Sequence, residues 1–196
     1  MVTYDSRAAL IVADVQNDFA DPAGSLAVNG GDGIVPRVNE EIRTALEGGG
    51  TVVLTQDWHP ESTPHFAKDG GIWPVHCVAG TWGAELHPAL EVSQDAPRIR
   101  KGSNGEDGYS GFTMRDPASG EEMPTELDAT LRGRGVRRVV ICGLATDYCV
   151  KATALDAIRL GYQTTVLADA IAAVDLQPGD GERAIGQMLE AGASFA

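Results

Sequence analysis

The sequence predicts an α/β protein built on a parallel sheet. Short apolar runs alternate along the chain with segments in which apolar residues recur at helical spacing. The run at 8–15 is continuously apolar rather than alternating, as expected for a strand that is covered on both faces. A chain of 196 residues is long enough for a full core, and we expect one domain over residues 1–196.

The elements are predicted in a regular order. Strands are expected at 8–15, 51–55, 97–100, 139–141 and 163–167, and helices at 34–46, 127–131, 146–160 and 182–191. Thr146 and Asp147 are interpreted as N-caps of the third helix, and Gly161 as its end. The stretches 16–33, 60–90 and 103–120 show little periodicity and are predicted to be loops. The long loop at 60–90 contains aromatic residues and a cysteine, so we expect it to be ordered and functional.

Composition excludes several partners and compartments. The formal net charge of -13 argues against nucleic acid and anionic membranes, since both require basic patches. The N-terminal residues lack a basic region followed by a signal-length apolar run, and 8–15 is too short to span a bilayer. Cys77, Cys142 and Cys149 are odd in number and have no framework spacing, so we expect reduced thiols in a cytoplasmic protein.

Cys149 is the candidate nucleophile. It falls in the first turn of a predicted helix that follows a strand directly, where unpaired N–H groups and the helix dipole favour an anion. A thiol there is expected to lose its proton more easily, and the N–H groups are suited to an oxyanion beside the sulfur. The alternative is that Cys149 is a small buried hydrophobe, as most free cysteines are.

Asp14 and Lys101 follow predicted strands and are expected at the same sheet edge as Cys149. A carboxylate near a thiol can act as its general base, and a lysine beside both keeps the carboxylate ionised and favours the thiolate. The alternative is a surface salt bridge that contributes little. Spacing alone does not separate the two, because the residues are far apart in sequence.

A candidate metal site follows the second strand. Asp57 and His59 occupy alternate positions there, and His65 and His76 lie on the loop that must fold back over them. Neutral imidazole with one carboxylate suits zinc, iron(II) or manganese and leaves positions open for water or substrate. The alternative is that these are scattered loop histidines. His87, directly before a proline, is interpreted as structural.

Seven motifs together resemble one known family. They are DVQNDF with GSLAVNGG at 14–31, DWH at 57–59, HF at 65–66, WPVHCVAGTWGAELHP at 73–88, KG at 101–102, YSGF at 109–112 and GLATDYCV at 143–150. Over nearly its full length the chain resembles the cysteine hydrolases of the isochorismatase-like superfamily, and within them the nicotinamidases, also called pyrazinamidases.

The resemblance implies a three-layer α/β/α sandwich around a mostly parallel six-stranded sheet. The implied catalytic triad is Asp14, Lys101 and Cys149. The implied ligands of one divalent ion (zinc, iron or manganese) are Asp57, His59, His76 and, directly or through water, His65. A cis peptide between Leu144 and Ala145 would direct the N–H groups of Ala145 and Cys149 at the oxyanion. The implied substrate pocket is formed by Phe19, Trp73, Tyr109 and Ala145.

The implied activity is hydrolysis of nicotinamide to nicotinate and ammonia through a thioester at Cys149, in NAD salvage, with pyrazinamide as a further substrate. Such an enzyme is expected as a monomer or homo-oligomer. One alternative is a related hydrolase acting on a carbamoyl or ureido compound or on isochorismate. Another is a non-catalytic metal- or ligand-binding protein, or a thiol redox sensor. The chain departs from the family pattern at Tyr148, where relatives often have histidine, and in a short last strand.

Overall fold

A six-stranded parallel sheet forms the centre of the protein. The structure, a computed structural model, describes residues 2–196. The strands are β1 (Ala8–Ala13), β2 (Thr51–Asp57), β3 (Arg98–Lys101), β4 (Thr113–Arg115), β5 (Glu122–Pro124), β6 (Arg138–Leu144), β7 (Gln163–Ala172) and β8 (Ser194–Phe195). The helices are α1 (Asn17–Ala20), α2 (Val35–Glu47), α3 (Leu127–Gly133), α4 (Lys151–Arg159) and α5 (Asp180–Ala191). The sheet order is β3-β2-β1-β6-β7-β8, and each neighbouring pair is parallel.

Helices cover both faces of the sheet, so the predicted three-layer α/β/α class is confirmed. Successive residues of β1 point to opposite faces. Leu10 and Val12 join the core under α2, whereas Ala9 and Ile11 join the core under α3, α4 and α5. All residues of β1 are buried, which explains its continuous apolar sequence.

The topology creates a crevice at one end of the sheet. From β1 the chain proceeds outward to β2 and β3, and from β6 it proceeds in the opposite direction to β7 and β8. β1 and β6 are neighbours, so the strand order reverses between them. In open α/β sheets, ligands bind outside the carboxyl ends of the strands at such a switch point.

All three predicted loops contain short regular structure, and the stretch 60–90 has two 3₁₀ turns, Ala67–Asp69 and Trp82–Ala84. The stretch 16–33 includes the single turn α1, and the stretch 103–120 includes β4, which forms an antiparallel pair with β5. Strands β4 and β5 have three residues each and only partly buried or exposed side chains. Such short, half-solvated strands leave no apolar alternation in the sequence, which is why the prediction missed them.

The predicted N-caps after β6 are wrong. Thr146–Val150 forms a π-helical turn ahead of α4, and no side chain caps it. The carboxylate of Asp147 instead accepts the backbone N–H groups of Val174 and Asp175, both at 2.9 Å. The Asp147 side chain therefore makes tertiary contacts instead of the helix cap that the local sequence pattern predicts. Gly161, with φ of 88°, does follow the end of α4 as predicted.

Two residues of predicted apolar helix faces are largely exposed. Leu46 is 56% exposed and Leu189 is 51% exposed, and each lies in the last turn of its helix. No helix within residues 2–196 has the length and apolar character needed to cross a bilayer. The three cysteines are unpaired and buried.

Gly143 controls the closest approach of β1 and β6. It pairs with Ala13 and has φ of 108°. A Cβ atom there would lie 2.1 Å from the carbonyl oxygen of Ala13. Only glycine allows this approach, directly beside the end of β1.

We expect Gly143→Ala to lower the free energy of unfolding by about 3 kcal/mol, from the unfavourable positive φ and the overpacking. Urea denaturation measures the change. Gly133→Ala is the matched control, because a Cβ there meets nothing within 4 Å and alanine is the better helix former. Equal stability of both variants and the wild type would contradict this account of Gly143.

Candidate active site

Lys101 is a buried ammonium at the carboxyl end of the sheet. Its side chain is 1% exposed, and Nζ lies 2.8 Å from Asp14 Oδ2 and 2.9 Å from Asp57 Oδ1. Nζ also donates to the carbonyl of Tyr109 at 3.1 Å and lies 3.4 Å from Cys149 Sγ. The register places Lys101 directly opposite Asp57 on the neighbouring strand. Burial alone would lower the pKa of Lys101, but the two carboxylates raise it well above its ordinary value, so the group is charged.

Asp14 is the other half of this ion pair. It follows β1 in the left-handed region, with φ of 47°, a conformation that non-glycine residues adopt rarely and mostly at functional sites. Its Oδ1 accepts a 2.6 Å hydrogen bond from Thr55. Complete burial raises the pKa of Asp14 despite Lys101, and nearby Asp57 raises it further. A carboxylate with a raised pKa is suited to taking up a proton and returning it.

Cys149 lies on the π-helical turn with its sulfur directed at this pair. One atom each from Cys149, Asp14 and Asp57 lies within 4.8 Å of the others. The expectation of a lowered thiol pKa is wrong: burial raises the pKa of Cys149 well above its ordinary value, Lys101 opposes this, and Asp14 adds to the rise. Burial is the largest cause of this raised pKa, and Asp14 and Asp57 add to it, so the resting group is a thiol.

Three histidines meet beside Asp57. His59, His65 and His76 each offer a ring nitrogen within 4.8 Å of the others. Nε2 of His59 and Nε2 of His76 lie 3.8 and 3.9 Å from Asp57 Oδ2. The pKa of His76 is lowered to about 4 by burial, against the opposing effect of Asp57. A neutral imidazole is the form that binds a metal.

The unpaired atoms of the cluster fit a divalent metal. Both ring nitrogens of His59 are buried and have no hydrogen-bond partner within residues 2–196. His76 Nδ1 is 2.7 Å from the carbonyl of Pro74, and His65 Nδ1 is 2.9 Å from Asp107 Oδ1. These outer contacts leave Nε2 of each ring for the centre, as in metal sites with oriented histidines. The donor set is thus a possible metal site.

Cys149 of the triad and two of the three histidines, His65 and His76, line one pocket. Its space, including the open mouth, is about 370 Å³. It is lined by the predicted residues Phe19, Trp73, Tyr109 and Ala145, with Asp57, His65, His76 and Cys149, and by Leu26, Val28, Tyr148 and Val174. Trp73 Nε1 donates to the hydroxyl of Tyr109 at 3.0 Å, and the ring of Tyr148 lies 4.9 Å from that of Trp73. The pocket is small, mostly apolar and aromatic, as single-ring ligands require.

The structure therefore brings the predicted site residues together, while their chemical roles stay predictions. The peptide between Leu144 and Ala145 is cis, as the resemblance implied. His87 lies apart from the cluster, with its Nδ1 near the N–H of Ala89.

Sequence reasoning missed Thr55 and Asp107, which support Asp14 and His65. It also missed Gln16, whose amide pairs with the backbone N–H and carbonyl of Asp57. Each acts across the fold on a residue distant in sequence, so spacing does not reveal its partner, although Gln16 itself lies in the DVQNDF motif.

A buried cysteine beside a carboxylate and an ammonium, at the switch point of a parallel sheet, is the arrangement of an α/β cysteine hydrolase. A sequence model of the isochorismatase domain matches residues 8–195, and the chain belongs to the isochorismatase family. This confirms the resemblance inferred from the motifs.

Known proteins of this family are similar over nearly the whole chain. A nicotinamidase of Escherichia coli (strain K12) is 39% identical, over 95% of this chain and 93% of its own length. The crystal structure of the pyrazinamidase of Pyrococcus horikoshii in complex with zinc is 44% identical, with a TM-score of 0.86 over 97% of this chain and 98% of that one. The structure of PnC1 from L. infantum in complex with nicotinate is 37% identical, with a TM-score of 0.89 over 100% and 95%.

We expect Lys101→Met to lower the free energy of unfolding of chelator-treated protein by about 3–5 kcal/mol, because two buried carboxylates lose their counter-ion. Guanidinium denaturation measures the change. Lys68→Met is the control: Lys68 pairs with Asp69 at 3.7 Å and its side chain is 48% exposed, so its replacement should cost less than about 0.5 kcal/mol. A stable Lys101→Met protein would contradict the central role of this ammonium.

Proposed function

We propose that the protein is a metal-dependent nicotinamidase, which hydrolyses nicotinamide to nicotinate and ammonia and also accepts pyrazinamide. The observation that carries the proposal is that Cys149, held beside Asp14 and Lys101, lines one small aromatic pocket together with Asp57, His65 and His76. The similar proteins support it, since they include a nicotinamidase and a neighbour that holds nicotinate. The product fits a role in NAD salvage.

The pocket is suited to a flat heteroaromatic ring that carries a carboxamide. Phe19 and Trp73 offer apolar faces, and Asp57 and His76 lie at the polar end with Cys149. A ring held between these walls would place its amide carbon near the sulfur. Such positioning replaces a bimolecular encounter and is a large part of the rate enhancement that enzymes achieve.

The first half-reaction forms a thioester. The thiol proton of Cys149 passes to Asp14 as the sulfur attacks the amide carbon, and the carbonyl electron pair moves onto oxygen. We assign the backbone N–H groups of Ala145 and Cys149 to this oxyanion. Asp14 then returns the proton to the amide nitrogen, the C–N bond breaks, and ammonia leaves. The Lys101 ammonium compensates the negative charge while the proton is on Asp14 or in transit.

The second half-reaction releases the acid. Asp14 takes a proton from water, whose oxygen attacks the thioester carbon. The carbon–sulfur bond breaks, the sulfur recovers a proton, and nicotinate leaves. Asp14 acts as base and as acid within each half, for which its raised pKa is suited.

Asp57, His59, His65 and His76 would hold one divalent ion, with zinc, iron or manganese compatible with these donors. A bound ion supplies a Lewis-acid position for the pyridine nitrogen and so orients the ring. We assign the protein to the cytoplasm on its three unpaired thiols, and we expect a monomer or homo-oligomer.

The lining of the pocket favours nicotinamide over the alternative substrates. A carbamoyl or ureido compound or isochorismate would not need four aromatic rings, those of Phe19, Trp73, Tyr109 and Tyr148, around the thiol. A non-catalytic binding protein or a redox sensor would have no use for Asp14 and Lys101 beside Cys149. A panel of nicotinamide, pyrazinamide, ureidoacrylate and isochorismate ranks these possibilities by kcat/KM.

We expect Cys149→Ala to lower kcat/KM for nicotinamide by at least about 10³-fold, because no other thiol can form the acyl-enzyme. Ammonia release measures the rate. Cys142→Ala is the control, since Cys142 is buried under α2, away from the pocket, and should retain activity. Full activity of Cys149→Ala would disprove the proposed mechanism.

We expect removal of metal by a chelator to lower kcat/KM for nicotinamide at least about tenfold, chiefly through KM, because substrate orientation is lost. Metal analysis should find one ion per chain, and added zinc, iron(II) or manganese should restore activity. His76→Ala should not retain the ion, whereas His87→Ala should, since His87 lies outside the cluster. Equal metal content in these two variants would refute the assigned ligands.

A further inference from the structure

We propose that Asp107 is a positioning residue of the metal centre, which holds the His65 imidazole in the tautomer with hydrogen on Nδ1 and its Nε2 facing His59 and His76. The inference rests on the metal site of the proposed function and adds a residue outside its four ligands. It concerns how one ligand is presented to the ion.

The contact defines the tautomer. His65 Nδ1 lies 2.9 Å from Asp107 Oδ1. An ionised carboxylate only accepts hydrogen bonds, so Nδ1 must carry the hydrogen. Nε2 then keeps its lone pair for the centre, where the His65 ring stacks on His59 at 4.9 Å and lies 5.3 Å from His76. The side chain of Asp107 is 42% exposed, so its charge remains hydrated and needs no buried counter-ion.

Asp107 is itself held in place. Its backbone N–H donates to the carbonyl of Arg115 at 2.8 Å, and its Oδ1 also accepts the N–H of Gly108 at 2.9 Å. Gly108 has φ of 143°, and a Cβ there would lie 3.1 Å from the Cα of Met114. The short β4–β5 hairpin therefore fixes the Asp107 carboxylate against His65. This small exposed element thus helps to position a ligand of the proposed metal site.

The three histidines are oriented by different means. His76 is held by the carbonyl of Pro74, two residues away, and a Cβ added at Gly102 would meet Nδ1 of His59 at 2.5 Å, which shows how closely that ring is packed. His65 alone depends on a side chain from a distant loop, 42 residues further along. Because that partner is a side chain, it can be replaced without altering any ligand.

The test measures metal affinity and tautomer separately. Chelator-treated wild type, Asp107→Ala, Asp107→Asn and Glu122→Gln are titrated with Zn²⁺ against a competing chelator. We expect Asp107→Ala to bind about 10–100-fold more weakly and Asp107→Asn to lie between, since an amide oxygen still accepts from Nδ1. Glu122→Gln removes one negative charge from the hairpin that holds Asp107. Glu122 pairs with Arg159 at 3.5 Å, away from His65, and this variant should bind as the wild type does.

The ring nitrogens of His65 give a readout that needs no metal. ¹⁵N chemical shifts of the metal-free protein should show hydrogen on Nδ1 in the wild type and a shift toward the Nε2–H form in Asp107→Ala. Unchanged affinity in Asp107→Ala would refute the role of Asp107 while the metal site stands. A wild type that binds no zinc would refute the metal site, and hydrogen on Nε2 in the wild type would refute the tautomer assignment on its own.

Discussion

The ion pairing of one buried ammonium with two buried carboxylates is the constraint on which the site depends. Lys101 lies between Asp14 and Asp57 at 2.8 and 2.9 Å, with almost no exposure to water. Any of the three charges alone would be costly in this interior, and together they are stable only at short distances. The ends of β1, β2 and β3 must therefore stay in register, which ties the alignment of the sheet to the geometry of the chemistry.

Asp57 makes the proposed triad and the metal centre parts of one electrostatic unit. Its Oδ1 contacts Lys101, and its Oδ2 faces His59 and His76. Lys101 and the histidines lower the pKa of Asp57 even though burial alone would raise it. With both carboxylates ionised, one ammonium leaves an excess negative charge in the interior. A divalent ion beside Asp57 would compensate that excess negative charge. Metal binding and the ionisation of Asp14 would therefore influence each other.

The sequence predicted the elements that bury apolar residues and the polar residues that end strands. The run in β1, the position of Asp14 after it and that of Lys101 at the end of β3 follow from periodicity and topology alone. The supporting contacts did not, because Thr55 and Asp107 meet their partners only through the fold. Asp147 shows this limit of local sequence patterns most clearly. Its local context indicated an N-cap, but its two carboxylate oxygens accept backbone N–H groups of a loop 27 residues away.

The raised pKa of Cys149 is compatible with its proposed role as nucleophile. The Cys149 thiolate forms only as Asp14 accepts the proton, so the resting protein carries no buried negative charge on the sulfur. The energetic cost of burying that charge therefore applies only during the reaction. The intrinsic nucleophilicity of a thiolate rises with the pKa of its thiol. Once deprotonated, Cys149 is therefore a stronger nucleophile than the thiolate of a more acidic thiol. The neutral resting thiol is also less open to oxidation, since oxidants react with thiolates. Lys101, within 3.4 Å of the sulfur, then lowers the energy of the anion at the one moment it exists.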